Sequence, residues 1–574
     1  MKASDYIAKF LAAQGVRYVF EMSGGMITHI LDSMNRLGSP HIVSMHHEQA
    51  AAFAADAAGR LNGVPGVAMA TSGPGATNLL TGIGSCYFDS SPAVFITGQV
   101  NRAEQKGERQ IRQLGFQETD IVSMAKPITK AAWQVRDEFE LPEMLARAFK
   151  VATTGRPGPV LLDIPMDVQR ADVQAPVTTQ TSDDQVHNLM SDDALWDEMF
   201  GALKNSARPL VLVGGGIRAA WATEALRTFV RKTRLPTVNS LMAVDVLPWE
   251  DPLRVGMIGS YGNRWANLAI GESDFLLVLG SRLDVRQTGS ETKAFKGDRV
   301  IFHVDCENGE INNRVIGCRA VVCGLKEFLE AAIFRTNGLT FEDRTTWVAK
   351  ISSLREQWPD TNELAVPGIN PNEFLHQLAR ASQRAAAYIV DVGQHQMWAA
   401  QSLELQPEQR FLTSGGMGSM GFALPAAIGA SLCDRSRPAV LIAGDGGFQS
   451  NIQELQTVVR NQLPIKMVII NNNCHGMVRQ FQESYFEARY QSTLWGYSAP
   501  DFAQVAKAYG IDTETVKDNA EVERAIRWLW ESPSEPRLLQ VMVDTYANAL
   551  PKIAFGHPIT EMEPFAKPLE MEGT

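Results

Sequence analysis

Residues 438–477 read PAVLIAGDGGFQSNIQELQTVVRNQLPIKMVIINNNCHGM. Two apolar runs, AVLIAG and IKMVII, are each followed at once by small or polar residues, with a segment of helical character between them. That alternation predicts two strands of one parallel sheet joined by a helix. Asp445 follows the first run and Asn472, 27 residues later, follows the second, so both oxygen-bearing side chains stand at the ends of strands that can be neighbours. A hard dication takes such oxygens in octahedral array and usually keeps diphosphate oxygens as further ligands. Gly444, Gly446 and Gly447 let backbone N–H groups approach a phosphate at the start of a helix. GDGG alone is more often a plain strand-to-helix turn; the paired asparagine shifts the balance toward a metal and phosphate site.

The same alternation runs through the rest of the chain. Over residues 1–170, short runs such as GVAMA (66–70) and PAVFITG (92–98) alternate with Ala-rich helical stretches, the pattern of a parallel sheet covered on both faces. The aperiodic polar stretch 171–193 reads as a linker. A second unit over 190–345 opens with PLVLVGGGI (209–217) and continues through DFLLVLGSRLDV (274–285) and VIFHVD (300–305). A third, over 370–548, opens with AAAYIVDVG (385–393) and contains the deciding stretch. Residues 549–574, rich in Pro, Glu and Met and without period, read as a tail or lid. The expected fold is α/β, three doubly wound parallel-sheet domains that could be divergent copies of one architecture.

The chain's 574 residues, 45% apolar and 20% charged, suffice for three such cores. With 53 Lys and Arg against 64 Asp and Glu, the net charge of -11 argues against nucleic-acid polymers or anionic membrane as partners. No apolar run is long enough to span a bilayer. The first 20 residues place Tyr6, Ile7, Phe10 and Leu11 at helical spacing around Asp5 and Lys9, unlike a signal peptide. Six cysteines without CxxC spacing fit reduced thiols, and the expected location is cytoplasmic.

GDG followed by NN at this spacing resembles the fingerprint of thiamine-diphosphate enzymes. That resemblance implies that Asp445, Asn472 and the backbone carbonyl of Cys474 hold Mg²⁺, with His475 and Gly476 beside the cofactor. Such enzymes need a carboxylate at the aminopyrimidine ring. Glu48, a lone acid in MHHEQAAAFAADAAGR (45–60), reads either as a helix N-terminal acid favoured by the dipole or as that group, and the family's HE before an alanine-rich helix favours catalysis. TSGPGATNLLTG (71–82), GFQETDIV (115–122), GRPGPVLLDIP (155–165), DVGQHQMWAAQ (391–401), LTSGGMGSMGFALPAAIGA (412–430) and GMVRQFQ (476–482) extend the likeness over nearly the whole chain, to catalytic subunits of acetohydroxyacid synthases.

The resemblance implies a carbon–carbon bond-forming transferase that decarboxylates pyruvate and passes the two-carbon unit to a second carbonyl compound. It places Gly24, Thr71, Pro74, Asn78, Phe116 and Gln117 near the pyrimidine and the reacting centre, with Gln117 donating to a developing oxyanion. Gly393, Gln394 and His395 would cradle the diphosphate, Gly418 would touch the pyrimidine amine, and Met420 would wedge the cofactor into its bent form. GSRLDVRQTG (280–289) is similar to the family's flavin site and implies FAD at Asp89, Arg156, Gly214, Gly215, Gly216, Leu241, Ile258, Gly280, Arg282, Asp284 and Asp305. Arg286 resembles the clamp for the acceptor carboxylate, or binds flavin alone. A homodimer or homotetramer with sites shared between chains follows from the likeness, which leaves a regulatory subunit open.

Departures cluster where the acceptor should sit. Met477 and Val478 match the family, but Phe481 replaces the tryptophan of MVRQW, Met166 a lysine, and Val285 an aspartate. Arg112 and Leu114 are introduced, and Glu21, Met22 and Ser23 stand where the family has Ala, Tyr and Pro. The split suggests unchanged donor chemistry with a changed acceptor: the acceptor is either a 2-keto acid, giving acetolactate, or a ketone or nucleotide-linked keto-sugar, and Arg109 and Arg112 either meet a diphosphate or are solvated surface arginines. An FAD-linked pyruvate oxidase is the runner-up; a 2-keto acid decarboxylase, which needs protonating histidines such as His46 and His47, is a further alternative.

Overall fold

Each apolar run bounded by glycine or polar residues becomes a strand, and eighteen of the strands build three six-stranded parallel sheets. The computed structural model describes residues 1–174 and 193–570; most of the expected 171–193 linker lies outside the described residues, as do the last four residues. The first sheet contains β1 (Tyr18–Met22), β2 (His41–Ser44), β3 (Gly66–Ala70), β4 (Ala93–Gln99), β5 (Ala131–Gln134) and β6 (Pro159–Pro165), in the order β2-β1-β3-β4-β6-β5. The second contains β7 (Pro209–Val213), β8 (Thr237–Asn239), β9 (Arg254–Met257), β10 (Phe275–Leu279), β11 (Val300–Asp305) and β12 (Arg319–Val322), in the order β12-β11-β10-β7-β8-β9. The third contains β13 (Ala387–Val390), β14 (Arg410–Leu412), β15 (Ala439–Gly444), β16 (Ile465–Asn471), β17 (Asp512–Val516) and β18 (Arg537–Met542), in the order β14-β13-β15-β16-β18-β17.

The first and third sheets share one strand order; the central sheet does not. Its order is that of dinucleotide-binding folds, with the reversal point between β7 and β10. The reading of three copies therefore holds for the outer pair alone. Strand order is decided by which helix crosses which face, and the local apolar pattern does not encode it.

The outer units pack against each other through two alanine-rich helices, Glu48–Asn62 and Ala423–Cys433, whose residues share one core with Phe53 and Phe422 in edge contact at 5.4 Å. Small side chains allow the close approach: a Cβ on Gly429 would run into the backbone carbonyl of Ala54. Overpacking of this kind costs about 1–3 kcal/mol.

The region read as a tail or lid is a docked strap in its described part. β19 (Lys552–Ile553) and β20 (Met562–Glu563) form an antiparallel pair, and Ile553, Ile559 and Met562 are buried with Trp265, Ala269 and Phe295 of the central unit. Arg264 fixes it by donating to both oxygens of Glu363, at 2.6 and 2.7 Å, and to the Glu563 carbonyl at 2.9 Å.

A buried ionic cluster joins the connection after the central unit to the third unit. His376 bonds Asp360 Oδ2 through Nε2 at 3.0 Å and Glu404 Oε1 through Nδ1 at 2.8 Å, with Trp249 of the central unit against its ring at 5.4 Å. Two acceptors on two ring nitrogens call for the imidazolium. Burial pulls the His376 pKa down, but Asp360 and Glu404 outweigh it and the net shift is upward. A raised basic pKa adds stability that is fully present below the unfolded value, about 6.5, and is lost as pH rises through the folded value. Urea unfolding midpoints should therefore fall across that window in the native chain and fall less in His376→Gln; parallel pH profiles would remove the cluster from the account.

Candidate active site

β13 and β15 flank the reversal point of the third sheet, where ligands of such sheets bind outside the carboxyl ends. Asp445 opens the helix Asp445–Gln449 directly after β15 and is 3% exposed. Burial lifts its carboxyl to about 6, against the opposing hydrogen bond of Tyr497 Oη at 3.1 Å. β16 runs beside β15 with Gly444 opposite Ile470, which brings Asn472, 6% exposed, to the same edge. Asn472 Oδ1 accepts the Cys474 N–H at 3.3 Å, and its Nδ2 donates to Gln394 Oε1 at 3.2 Å. Among the described residues no three His, Cys, Asp or Glu side chains cluster as metal ligands. A cation held here must draw on the Asn472 amide, a backbone carbonyl and ligand oxygens beside one carboxylate, the mixture that suits Mg²⁺.

The glycines around this edge make a cradle that side chains would fill. A Cβ on Gly447 would strike Asp391 Oδ1, one on Gly444 would lie 2.8 Å from His395 Nδ1, and one on Gly446 would lie 2.7 Å from the His475 ring and 3.2 Å from Met420 Cε. His395 is buried, which lowers its pKa to about 3, and the neutral ring accepts the Gly444 N–H on Nε2 at 3.3 Å. Asp391 accepts the N–H groups of Val392, Gly421 and Ala423 at 2.9, 3.0 and 2.8 Å, fastening the loop of Gly418 and Met420 to the end of β13. The structure thus gathers Gly393, Gln394, His395, Met420, Asp445, Asn472, Cys474, His475 and Gly476 around one edge.

A second constellation occupies the matching edge of the first sheet, beyond β1 and β3. Gly24 lies against Thr71, where a Cβ would come within 2.5 Å of the threonine's own, and Thr71 Oγ1 accepts the Met26 N–H at 3.2 Å. Gly73, at φ +63°, turns the chain into the helix Pro74–Asn78. Asn78 Nδ2 donates to Glu48 Oε2 at 2.9 Å, and Glu48 is 7% exposed. Gln117, itself at φ +65°, packs its Cβ beside Gly73. No hydrogen bond among the described residues joins Glu48, Thr71 or Asn78 to Gln394, His395, Asp445 or Asn472. His47 caps the Glu48 helix, its Nδ1 accepting the Gln49 N–H at 3.0 Å, and His46 donates its backbone N–H to Glu454 at 2.9 Å. Glu21 is buried, with Oε1 accepting from Ser44 at 2.6 Å, Oε2 unpartnered, and its pKa raised by burial.

The residues expected at a flavin all line one cavity of about 810 Å³ at the reversal point of the central sheet: Asp89, Arg156, Gly214, Gly215, Gly216, Leu241, Ile258, Gly280, Arg282, Asp284 and Asp305, together with Arg286. The loops after β7 and β10 cross so closely there that a Cβ on Gly214 would overlap the Gly280 carbonyl. Asp89 reaches the wall with its carboxylate engaged, accepting from Gly415 and Gly416 at 3.1 and 2.6 Å and from Arg60 at 3.1 Å. Arg156 is likewise held, by Ser90, Glu307 and Glu310 at 2.7, 2.8 and 2.7 Å.

Of the residues expected near the acceptor, Val478 and Phe481 are exposed on the helix Gly476–Tyr485, with the Phe481 ring 4.8 Å from Tyr485 and 5.8 Å from Phe486. Phe116 is 80% exposed. Arg109 folds back onto the carbonyls of Gln105 and Lys106, each at 3.1 Å.

The three units match three family descriptions: thiamine pyrophosphate enzyme, N-terminal TPP binding domain, over residues 1–124; central domain, over 196–332; and C-terminal TPP binding domain, over 391–541. The acetolactate synthase isozyme 2 large subunit of Escherichia coli is 36% identical over 564 residues, 98% of this chain and 99% of that one. The chain belongs to the acetolactate synthase large-subunit family of thiamine pyrophosphate enzymes. The acetolactate synthase large subunit of Lactococcus lactis subsp. lactis is 34% identical over 97% of this chain and 95% of its own length. The probable acetolactate synthase large subunit of Methanocaldococcus jannaschii is 34% identical over 100% of this chain and 96% of its own.

Sequence reasoning missed Tyr497 and Asp391, and it missed Met242, Tyr261, Gln287 and Cys323 in the cavity wall. Tyr497 is marked only by a distant partner, Asp445, 52 positions away, whereas Asp391 and Gln287 stand inside DVGQHQMWAAQ and GSRLDVRQTG. No helix of the described residues is long and apolar enough to cross a membrane.

Proposed function

We propose that this chain decarboxylates pyruvate and joins the two-carbon unit to a second carbonyl compound, forming acetolactate when the acceptor is another pyruvate. The observation that carries this reading is the pairing of Asp445 and Asn472 in a glycine cradle with a buried, amide-held Glu48, in a chain that matches 99% of the length of the Escherichia coli acetolactate synthase isozyme 2 large subunit. Asp445, Asn472 and the Cys474 carbonyl would hold Mg²⁺, and Gly393, Gln394, His395 and Gly446 the diphosphate of thiamine pyrophosphate. That cofactor, when bound, supplies an electron sink for the decarboxylation. Glu48 holds and moves a proton at Oε1, the oxygen that Asn78 leaves free, and Gln117 donates to the oxygen that gains charge. Gln117 lies against the Gly73 turn, where a side chain would crowd it.

FAD is proposed for the central cavity, on the strand order and on the convergence of every flavin residue there, with Arg286 beside it. At least two chains are proposed to share each site, Glu48 of one facing Asp445 of another. This accounts for the separation of the two constellations and for the exposed apolar side chains of Phe116, Met420, Val478 and Phe481 around them. The pyruvate oxidase and decarboxylase readings are not favoured: the relatives are acetolactate synthases, and His47 is committed to a helix cap.

One observation favours a second acceptor class. Phe481, smaller than the family's tryptophan, is exposed and meets Tyr485 in a tilted ring contact, so its position offers more room than a tryptophan would. Purified protein with thiamine pyrophosphate, Mg²⁺, FAD and pyruvate is expected to release carbon dioxide and yield acetolactate by mass spectrometry. Tertiary alcohols from an added ketone or nucleotide-linked keto-sugar would assign the acceptor to that class, and acetohydroxy acids alone would restrict it to 2-keto acids. Absence of any carboligation product would end the reading. The protein as isolated should also release a flavin on denaturation.

A further inference from the structure

A chain of buried amides runs from Asn472 to the start of the C-terminal strap. Asn472, Gln394 and Gln480 are 6%, 3% and 2% exposed. Asn472 Nδ2 donates to Gln394 Oε1 at 3.2 Å, and Gln394 Nε2 donates to Gln480 Oε1 at 3.0 Å. At the far end Gln480 closes a two-bond ring with Ala549, accepting its N–H on Oε1 at 2.9 Å and donating Nε2–H to its carbonyl at 3.0 Å. A Cβ on Gly476 would overlap Gln394 Oε1 and stand 2.7 Å from Asn472 Nδ2, so the glycine of GMVRQF admits the amide pair.

A side-chain amide has two ends of opposite function, and flipping it exchanges an acceptor for a donor. The backbone of Ala549 has no such freedom: its N–H only donates and its carbonyl only accepts. Gln480 therefore takes a single orientation, with Oε1 shared between Ala549 and Gln394. That sets Gln394, whose Oε1 must then face Asn472, and this in turn directs Asn472 Nδ2 inward to Gln394. Asn472 Oδ1 is left facing the Asp445 edge with one lone pair beyond its bond to the Cys474 N–H. The far end is anchored as well, by Gln401 Nε2 on the Leu550 carbonyl at 3.1 Å and Arg479 on the Ala547 carbonyl at 3.1 Å.

We propose that Gln480 is a positioning residue for the cation site: through Gln394 it keeps the oxygen of Asn472 turned to the metal, with segment 547–550 as its fixed reference. The proposal rests on the reading of Asp445 and Asn472 as Mg²⁺ ligands. Outer partners of metal ligands are typically worth about 10–100-fold in affinity.

The test is a Mg²⁺ titration of the full chain at saturating thiamine pyrophosphate, read as cofactor retained in equilibrium dialysis. Gln480→Met should raise the half-saturating Mg²⁺ concentration by about tenfold or more. Gln480→Glu, which in its buried, protonated form keeps an oxygen for the Ala549 N–H and Gln394 and an O–H for the Ala549 carbonyl, should stay within a few-fold of the native chain when titrated at mildly acidic pH, and it carries the test should the methionine variant not fold. Asn472→Asp has no wrong end, so its effect on Mg²⁺ affinity should be several-fold more favourable in the Gln480→Met background than alone. Native-like Mg²⁺ dependence in Gln480→Met, a Gln480→Glu variant that loses the metal, or an Asn472→Asp effect of equal size in both backgrounds would each overturn the relay. If the native chain retains the cofactor without Mg²⁺, or not at all, the site reading itself fails and the relay falls with it.

Discussion

Glu48→Gln should lower turnover of pyruvate by roughly 10²–10⁴-fold, the usual worth of a positioned general acid or base, while leaving retention of thiamine pyrophosphate within a few-fold of native. The separation follows from geometry. Glu48 stands in the first unit, on the helix that packs the outer units together, and shares no hydrogen bond with the glycine cradle of the third. Asn78 holds Oε2 at 2.9 Å, a bond that can survive in glutamine with its carbonyl oxygen there, so the substitution removes the proton and little else. Carbon dioxide release in a single turnover reports the chemistry, and equilibrium dialysis the binding. A variant that turned over within tenfold of native would leave Glu48 as a helix-start acid, the reading its position alone also allows. Equal losses in both measurements would point to a collapsed site.

The two cofactor edges were legible because their chemistry is written beside the strands that carry it. Asp445 and Asn472 each follow a buried run directly, and parallel pairing of β15 with β16 does the rest. That the residues expected at a flavin share one cavity follows for a similar reason: Gly214 and Gly280 follow neighbouring strands, and Asp89 and Arg156 come from elements whose motifs are long. What those residues do was less legible. Asp89 spends its carboxylate on Gly415, Gly416 and Arg60, and Arg156 is clamped by Glu307 and Glu310, partners set by packing between units. The central strand order differs from its neighbours although its apolar runs look the same. The strap over 552–563 has no period to read, since its two short strands gain their burial from Trp265 and Phe295 of another unit. Gln480 reads as an ordinary helix residue until Ala549 is placed beside it.

Asp445→Asn should move binding and stability in opposite directions. Without its charge the edge loses the one carboxylate that would hold the cation, and with the cation goes what neutralises the diphosphate, so retention of Mg²⁺ and thiamine pyrophosphate should be lost at any practical concentration. The cofactor-free protein, by contrast, should gain. Asp445 is 3% exposed, and the hydrogen bonds of Tyr497 and nearby backbone do not make up for burial, which leaves its carboxyl at about 6. An acid whose pKa is raised on folding is penalised in its ionised form. That penalty is absent below the unfolded value, about 3.9, grows as pH rises, and is complete above about 6. The neutral amide escapes it, so urea unfolding of cofactor-free Asp445→Asn should show about 1–3 kcal/mol of added stability above pH 6 and a vanishing difference near pH 4. An amide that destabilised the cofactor-free chain at neutral pH would mean the carboxylate is satisfied by the protein alone. The edge would then be a structural turn, and the strain that makes it receptive to a cation would have to be sought elsewhere.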